Sequence, residues 1–151
     1  MASERFDDFV RFAIDREIEA AALYEKYATV ASARSSRELL LQMAVMERGH
    51  EAKLRGLLAT GKGDFARPGT VDDLHLSDFI VECPVNDATD LQGVFLFAIQ
   101  AEQKACALYT RLARLEEETE TRELFAVLAA EEQQHKHDLE VEYERQFMSE
   151  N

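Results

Sequence analysis

The 151-residue chain carries an internal repeat that sets most of what it can become. Sliding the sequence against itself by 85 residues lays Glu17 on Glu102, Ala20 on Ala105, Tyr24 on Tyr109, Glu47 on Glu132 and His50 on His135. Each half thus holds a Glu with a Tyr seven residues on. Thirty residues after that Glu comes a Glu-x-x-His. Two copies of one unit have to fold so that the shared residues serve a shared purpose.

The units are helical. Phe9, Phe12, Ala13, Ala20, Leu23, Tyr24, Tyr27 and Ala31 recur at steps of three and four, the period of an amphipathic helix, which predicts a first helix over 4 to 32. Ser35 with Glu38 reads as a capping box opening a second helix over 36 to 60. That helix carries Leu39, Leu40, Met43, Met46, Leu54, Leu57 and Leu58. Gly61, Gly63, Pro68, Gly69 and Pro84 break any long helix between 61 and 88, so this stretch reads as a crossover. The period resumes through Leu91, Val94, Phe95, Ala98, Ala105, Leu108, Tyr109 and Leu112, a third helix over 89 to 117 with Asp87 or Thr89 as its N-cap. A fourth, over 120 to 148, turns Leu124, Phe125, Val127, Leu128, Leu139, Tyr143 and Phe147 inward. Two short-looped hairpins joined by one long crossover make an all-α four-helix bundle of the ferritin-like kind. Its size suits a single domain, 1 to 151.

Within such a bundle the repeated polar residues become candidate metal ligands. Glu47 and His50, at i and i+3, share one helix face, as do Glu132 and His135. With Glu17 and Glu102 they complete the donor set of carboxylate bundles that hold two metal ions, one Glu from each of two helices and Glu-x-x-His from the other two. A single Glu-x-x-His on an acidic helix is more often a surface pair. Five identities at one offset, interleaved with core-spaced apolar residues, argue against chance. Four carboxylates balance two divalent cations, whereas ionised and alone in a core they would be costly. Mixed oxygen and nitrogen donors suit iron and manganese, and also zinc; two carboxylate-rich centres favour iron.

Tyr24 and Tyr109 lie two turns beyond their Glu and can hydrogen-bond a ligand carboxylate, or be ordinary core tyrosines. Cys106, one turn beyond Glu102, reads as a small core residue or a thiol beside the metals. His137 reads as surface, and His75 in the crossover has no assigned role. Cys83 and Cys106 form no CxxC pair, so the chain cannot build a four-cysteine iron site.

A net charge of −13 repels phosphate backbones and anionic headgroups, so neither nucleic acid nor a membrane surface is an expected partner. The N-terminus lacks a signal-peptide pattern, and no apolar run approaches a membrane span, which makes the cytoplasm the expected location.

Through Glu17-x-x-Ala20-x-x-x-Tyr24, Glu47-x-x-His50, Glu102-x-x-Ala105-x-x-x-Tyr109 and Glu132-x-x-His135, the sequence resembles the rubrerythrin branch of the ferritin-like superfamily, in its rubredoxin-free form. The resemblance runs over roughly residues 5 to 147. It implies a non-haem di-iron oxidoreductase of peroxidase or ferroxidase type, reacting with hydrogen peroxide or dioxygen and linked to oxidative stress. It implies that Glu47 and Glu132 bridge two iron ions, that Glu17 and Glu102 are terminal, and that Tyr24 and Tyr109 support the ligands. Full-length rubrerythrins add a Glu where this chain has Ala105, so the resemblance does not extend to the ligand exchange which that residue serves. With no rubredoxin-like module after helix 4, electrons are expected from a separate donor protein. A homodimer is the expected assembly. The alternatives are an iron-storage subunit, a metal-free structural bundle, and a hydroxylase with a substrate channel beside Glu17 and Glu102.

Overall fold

A computed structural model describes residues 2–60, 76–80 and 89–148. Four long helices account for most of them: α1 (Ala2–Ala28), α2 (Arg34–Thr60), α3 (Leu91–Leu115) and α4 (Thr119–Tyr143). No strand occurs among the described residues. Helix α1 packs along α2 and α3 along α4, two hairpins whose apolar faces close on each other through α2 against α4 and α1 against α3. This is an all-α, ferritin-like four-helix bundle. Of the expected crossover, 61–75 and 81–88 lie outside the described residues, and with them His75, Cys83 and Asp87. Its described part is a 3-10 turn, Leu76–Phe79, held to α3 by the Lys104 ammonium donating to the Asp78 carbonyl at 3.0 Å.

Helix ends differ from the sequence reading in instructive ways. Helix α1 stops at Ala28, where Thr29 and Val30 turn back on the carbonyls of Lys26 and Tyr27. Helix α2 begins at Arg34, so Ser35 lies inside it and caps nothing. Glu38 pairs with Arg34 at 2.7 Å. The Ser35 and Ser36 hydroxyls instead both donate to Oε2 of buried Glu142 on α4, each at 2.7 Å, tying the hairpins together at one end. A tertiary acceptor outcompetes the local one. The N-cap of α3 is neither Asp87 nor Thr89 but Asp90, whose carboxylate accepts from the Gly93 amide at 2.8 Å. Helix α4 is capped by Glu118 accepting from the Thr121 amide at 2.8 Å, and its last stretch, Glu144–Met148, widens into a π turn.

Two apolar clusters fill the bundle. One gathers Phe6, Val10, Ile14, Leu54, Leu108, Leu112, Phe125 and Leu128. The other gathers Tyr27, Leu40, Met43, Val94, Phe95 and Leu139. Every helix contributes to both, and between its two contributions stands a buried acid: Glu17 after Ile14, Glu47 after Met43, Glu102 before Leu108 and Glu132 before Leu139. Met46 and Val127, whose spacing groups them with the apolar faces, are exposed. Apolar burial in the two clusters, at about 25 cal/mol per Å², offsets the desolvation cost of these acids.

Candidate metal centre

The buried belt between the clusters consists of Glu17, Glu47, His50, Glu102, Glu132 and His135, each with 4% or less of its surface exposed. A carboxylate or imidazole survives such burial only when partnered. Among the described residues, seven atoms of this belt lack a hydrogen bond: His135 Nε2, and one inward atom from each residue, Glu17 Oε2, Glu47 Oε1, His50 Nδ1, Glu102 Oε2, Glu132 Oε1 and His135 Nδ1, the six that bear on the centre. They are nonetheless close together. His50 Nδ1 lies 2.7 Å from Glu132 Oε1, 3.3 Å from Glu47 Oε1 and 3.4 Å from Glu17 Oε2. His135 Nδ1 lies 3.1 Å from Glu47 Oε1, 3.7 Å from Glu102 Oε2 and 3.8 Å from Glu132 Oε1. The two imidazoles stack with ring centres 5.9 Å apart.

Lone pairs that converge without satisfying one another are the mark of a site built for cations. Two four-residue groups result, each with donors within 4.8 Å of one another: Glu17, Glu47, His50 and Glu132, and Glu47, Glu102, Glu132 and His135. Glu47 and Glu132 belong to both, the position a bridging carboxylate must take. Glu17 and Glu102 belong to one each. Four carboxylates and two imidazoles in this arrangement fit two divalent ions in charge and in donor type.

Protons stand in for metal in the bare cluster. Burial, and then the charge of Glu47, push the Glu17 carboxyl up to about 8. Burial likewise raises Glu132, helped by the charges of Glu102 and Glu47. For Glu47 burial acts upward too, but its contacts with His135 and His50 outweigh it and hold the group at about 2. Burial disfavours the charged form of His50, yet contacts with Glu17 and Glu47 carry it up to about 10. His135 reaches about 10 by the same balance with Glu102 and Glu47.

The tyrosines join the belt across the bundle. Tyr24 donates to Glu102 Oε1 at 2.5 Å and Tyr109 to Glu17 Oε1 at 2.7 Å, so each phenol serves the carboxylate of the other half and not its own. Burial, reinforced by the neighbouring carboxylates, raises both phenols well above their usual range and keeps them protonated donors. Cys106 is half-buried against the first apolar cluster, its carbonyl accepting from the Thr110 hydroxyl at 2.8 Å, and it is a free thiol outside both donor groups. His137 is exposed.

Sequence reasoning missed Glu131, whose Oε2 lies 2.5 Å from His50 Nε2. On so acidic a helix nothing marks one more Glu. The available signal is that the 85-residue offset puts Met46 opposite it, a break in the repeat beside two matched ligands. Sequence also could not show a cavity of about 160 Å³ between α1 and α3, where the short side chains of Ala20, Ala101 and Ala105 leave space unfilled, and whose wall includes Glu17 and Glu102.

An antiparallel bundle with a buried Glu on each helix and a paired His on two defines the carboxylate-rich, two-metal class of ferritin-like proteins. The rubrerythrin family model matches residues 8–143, and the chain belongs to that family. A solved structure of a hypothetical protein from Pyrococcus furiosus is similar, with a TM-score of 0.72 at 26% identity over 91% of this chain and 87% of that one. No curated protein matches the sequence. Family and buried cluster together fit a di-iron site.

Proposed function

We propose that the chain is a non-haem di-iron oxidoreductase that reacts with hydrogen peroxide or dioxygen. The observation that carries this reading is the set of six buried donor atoms, one from each of Glu17, Glu47, His50, Glu102, Glu132 and His135, in two overlapping groups. Two ferrous ions held there would supply the two electrons that reduction of peroxide takes up. The protein's own part is positional. Glu47 and Glu132 hold the two positions at one spacing, Tyr24 and Tyr109 fix the terminal carboxylates through their hydroxyl protons, and the apolar clusters keep bulk water from either end. Electrons come from a separate donor protein, and the working assembly is a homodimer.

Anaerobic titration of metal-free protein with ferrous iron, followed by mixing with peroxide, tests the reading. Two irons per chain and rapid formation of an oxo-bridged absorption spectrum are expected. Failure to bind iron, or binding unaffected by Glu47→Ala, would leave a helical bundle without this chemistry. Iron storage requires a closed shell of many subunits, which native mass separates from a dimer.

The cavity favours a second reading, oxidation of a small organic molecule. Its wall is mainly apolar and its volume of about 160 Å³ is close to that of a cavity known to take benzene. Iron oxidation accelerated by a small aromatic compound, with hydroxylated product, would favour it over peroxide removal.

A further inference from the structure

The two halves of the centre are not equivalent, and the difference lies one residue before a ligand. His50 presents Nδ1 to the carboxylates and turns Nε2 outward to Glu131 Oε2 at 2.5 Å. His135 presents Nδ1 in the same way, but its Nε2 is buried with no hydrogen-bond partner among the described residues. The repeat explains why. Position 131 on α4 corresponds to position 46 on α2, and position 46 is Met, 36% exposed, which offers no carboxylate. The remaining matched pairs are symmetric: Glu17 with Glu102, Tyr109 with Tyr24, Glu47 with Glu132.

An imidazole that binds a cation through Nδ1 must carry its proton on Nε2. For His50 that proton has an acceptor in place. The carboxylate fixes the tautomer, holds the ring plane, and makes Nδ1 a stronger donor; such outer partners change metal affinity by about 10- to 100-fold. Glu131 also adds negative charge next to one position only. For His135 the same tautomer leaves a buried N–H unsatisfied, a penalty carried into the metal-bound state.

Building on the di-iron reading above, we propose that Glu131 is a positioning residue that makes the two metal positions unequal, so that the Glu17 and His50 position fills first and the Glu102 and His135 position second. Loading is therefore sequential, and a one-metal form with His135 free is a populated state of the protein.

Zinc, which is diamagnetic and redox-silent, tests this without any turnover. Metal-free protein carrying ¹⁵N-labelled histidine is titrated while the imidazole nitrogens are followed by NMR and the affinities by competition with a chelator. At one equivalent the His50 nitrogens should move to metal-bound shifts while those of His135 stay put, and the two affinities should differ by about 10-fold or more. Glu131→Gln should weaken the first step by about 10- to 100-fold and bring the two steps together. Met46→Glu, which restores the missing carboxylate by the symmetry of the repeat and leaves Glu131 intact, should tighten the second step alone. Both histidines responding equally at one equivalent, or Glu131→Gln weakening both steps alike, would overturn the inequality while leaving the two-metal reading standing. No zinc bound at either position would overturn both.

Discussion

Tyr24 donates its hydroxyl proton to Glu102, 2.5 Å away on the other hairpin. Tyr109 returns the bond to Glu17 at 2.7 Å. The sequence pairs each Tyr with the Glu seven residues before it; the fold exchanges the partners, so the tyrosines both orient carboxylates and fasten one hairpin to the other. Tyr109→Phe leaves Glu17 Oε1 buried without its donor, and should cost the metal-free protein about 1–3 kcal/mol in urea unfolding. It should also weaken metal binding by about 10-fold or more. Unchanged unfolding would mean that the phenol is core filling alone.

Removal of a shared carboxylate should differ from removal of a terminal one. Glu47→Ala or Glu132→Ala takes a donor from both groups and should abolish binding of both ions. Glu17→Ala or Glu102→Ala takes a donor from one group, and one ion per chain should remain. Metal content after gel filtration reads the difference; loss of both ions from folded Glu17→Ala would show that the positions do not act separately.

Protons and metal compete for the same atoms, which fixes the sign of the pH dependence. His50 and His135 rise from 6.5 to about 10, so their contribution to metal-free stability is complete below 6.5 and is lost as pH climbs through 10. Glu17, raised from 4.5 to about 8, loses its contribution in the same direction between those values. Glu47, held at about 2, is constant across this window. The melting temperature of metal-free protein should fall from pH 5 to pH 10, while metal affinity rises with pH as protons leave the ligands. Calorimetry with and without zinc checks both slopes. A metal-free melting temperature that climbs over this window would contradict the arrangement.

Filling the space between α1 and α3 should restrict what reaches the centre. Ala105→Leu adds bulk to the cavity wall, at a cost of about 1–3 kcal/mol if the helices must part. It should slow oxidation of the iron-loaded protein by a bulky organic hydroperoxide more than by hydrogen peroxide. Equal slowing with both would mean that the cavity is not the route of entry.

Much of this architecture was legible because it rests on periodicity. Steps of three and four marked four amphipathic helices, and the offset of 85 residues picked out Glu17, Glu47, His50, Glu102, Glu132 and His135 as a matched set. Local reading failed where a distant partner competed, and once where a neighbouring residue made the better cap. Ser35 looked like a cap and instead bonds Glu142, 107 residues away. The cap of α3 fell to Asp90, since the helix starts where its carboxylate meets the Gly93 amide and not at the first polar residue of the run. Glu131 stayed invisible because an acidic residue on an acidic helix carries no signal until a partner from another helix is seen beside it.

Taken alone, the sequence determined that the chain forms four helices in two related pairs and that each carries an acid at mid-length on its inner side. Helical period is a property of consecutive residues, and it specifies which face of a helix is buried. It does not specify what that face meets. The rotation and axial register of each helix against its neighbours arise from packing of the two apolar clusters. Only that packing decided that Tyr24 reaches Glu102, that Glu131 backs His50 while His135 has no counterpart, and that alanines leave a cavity beside the belt.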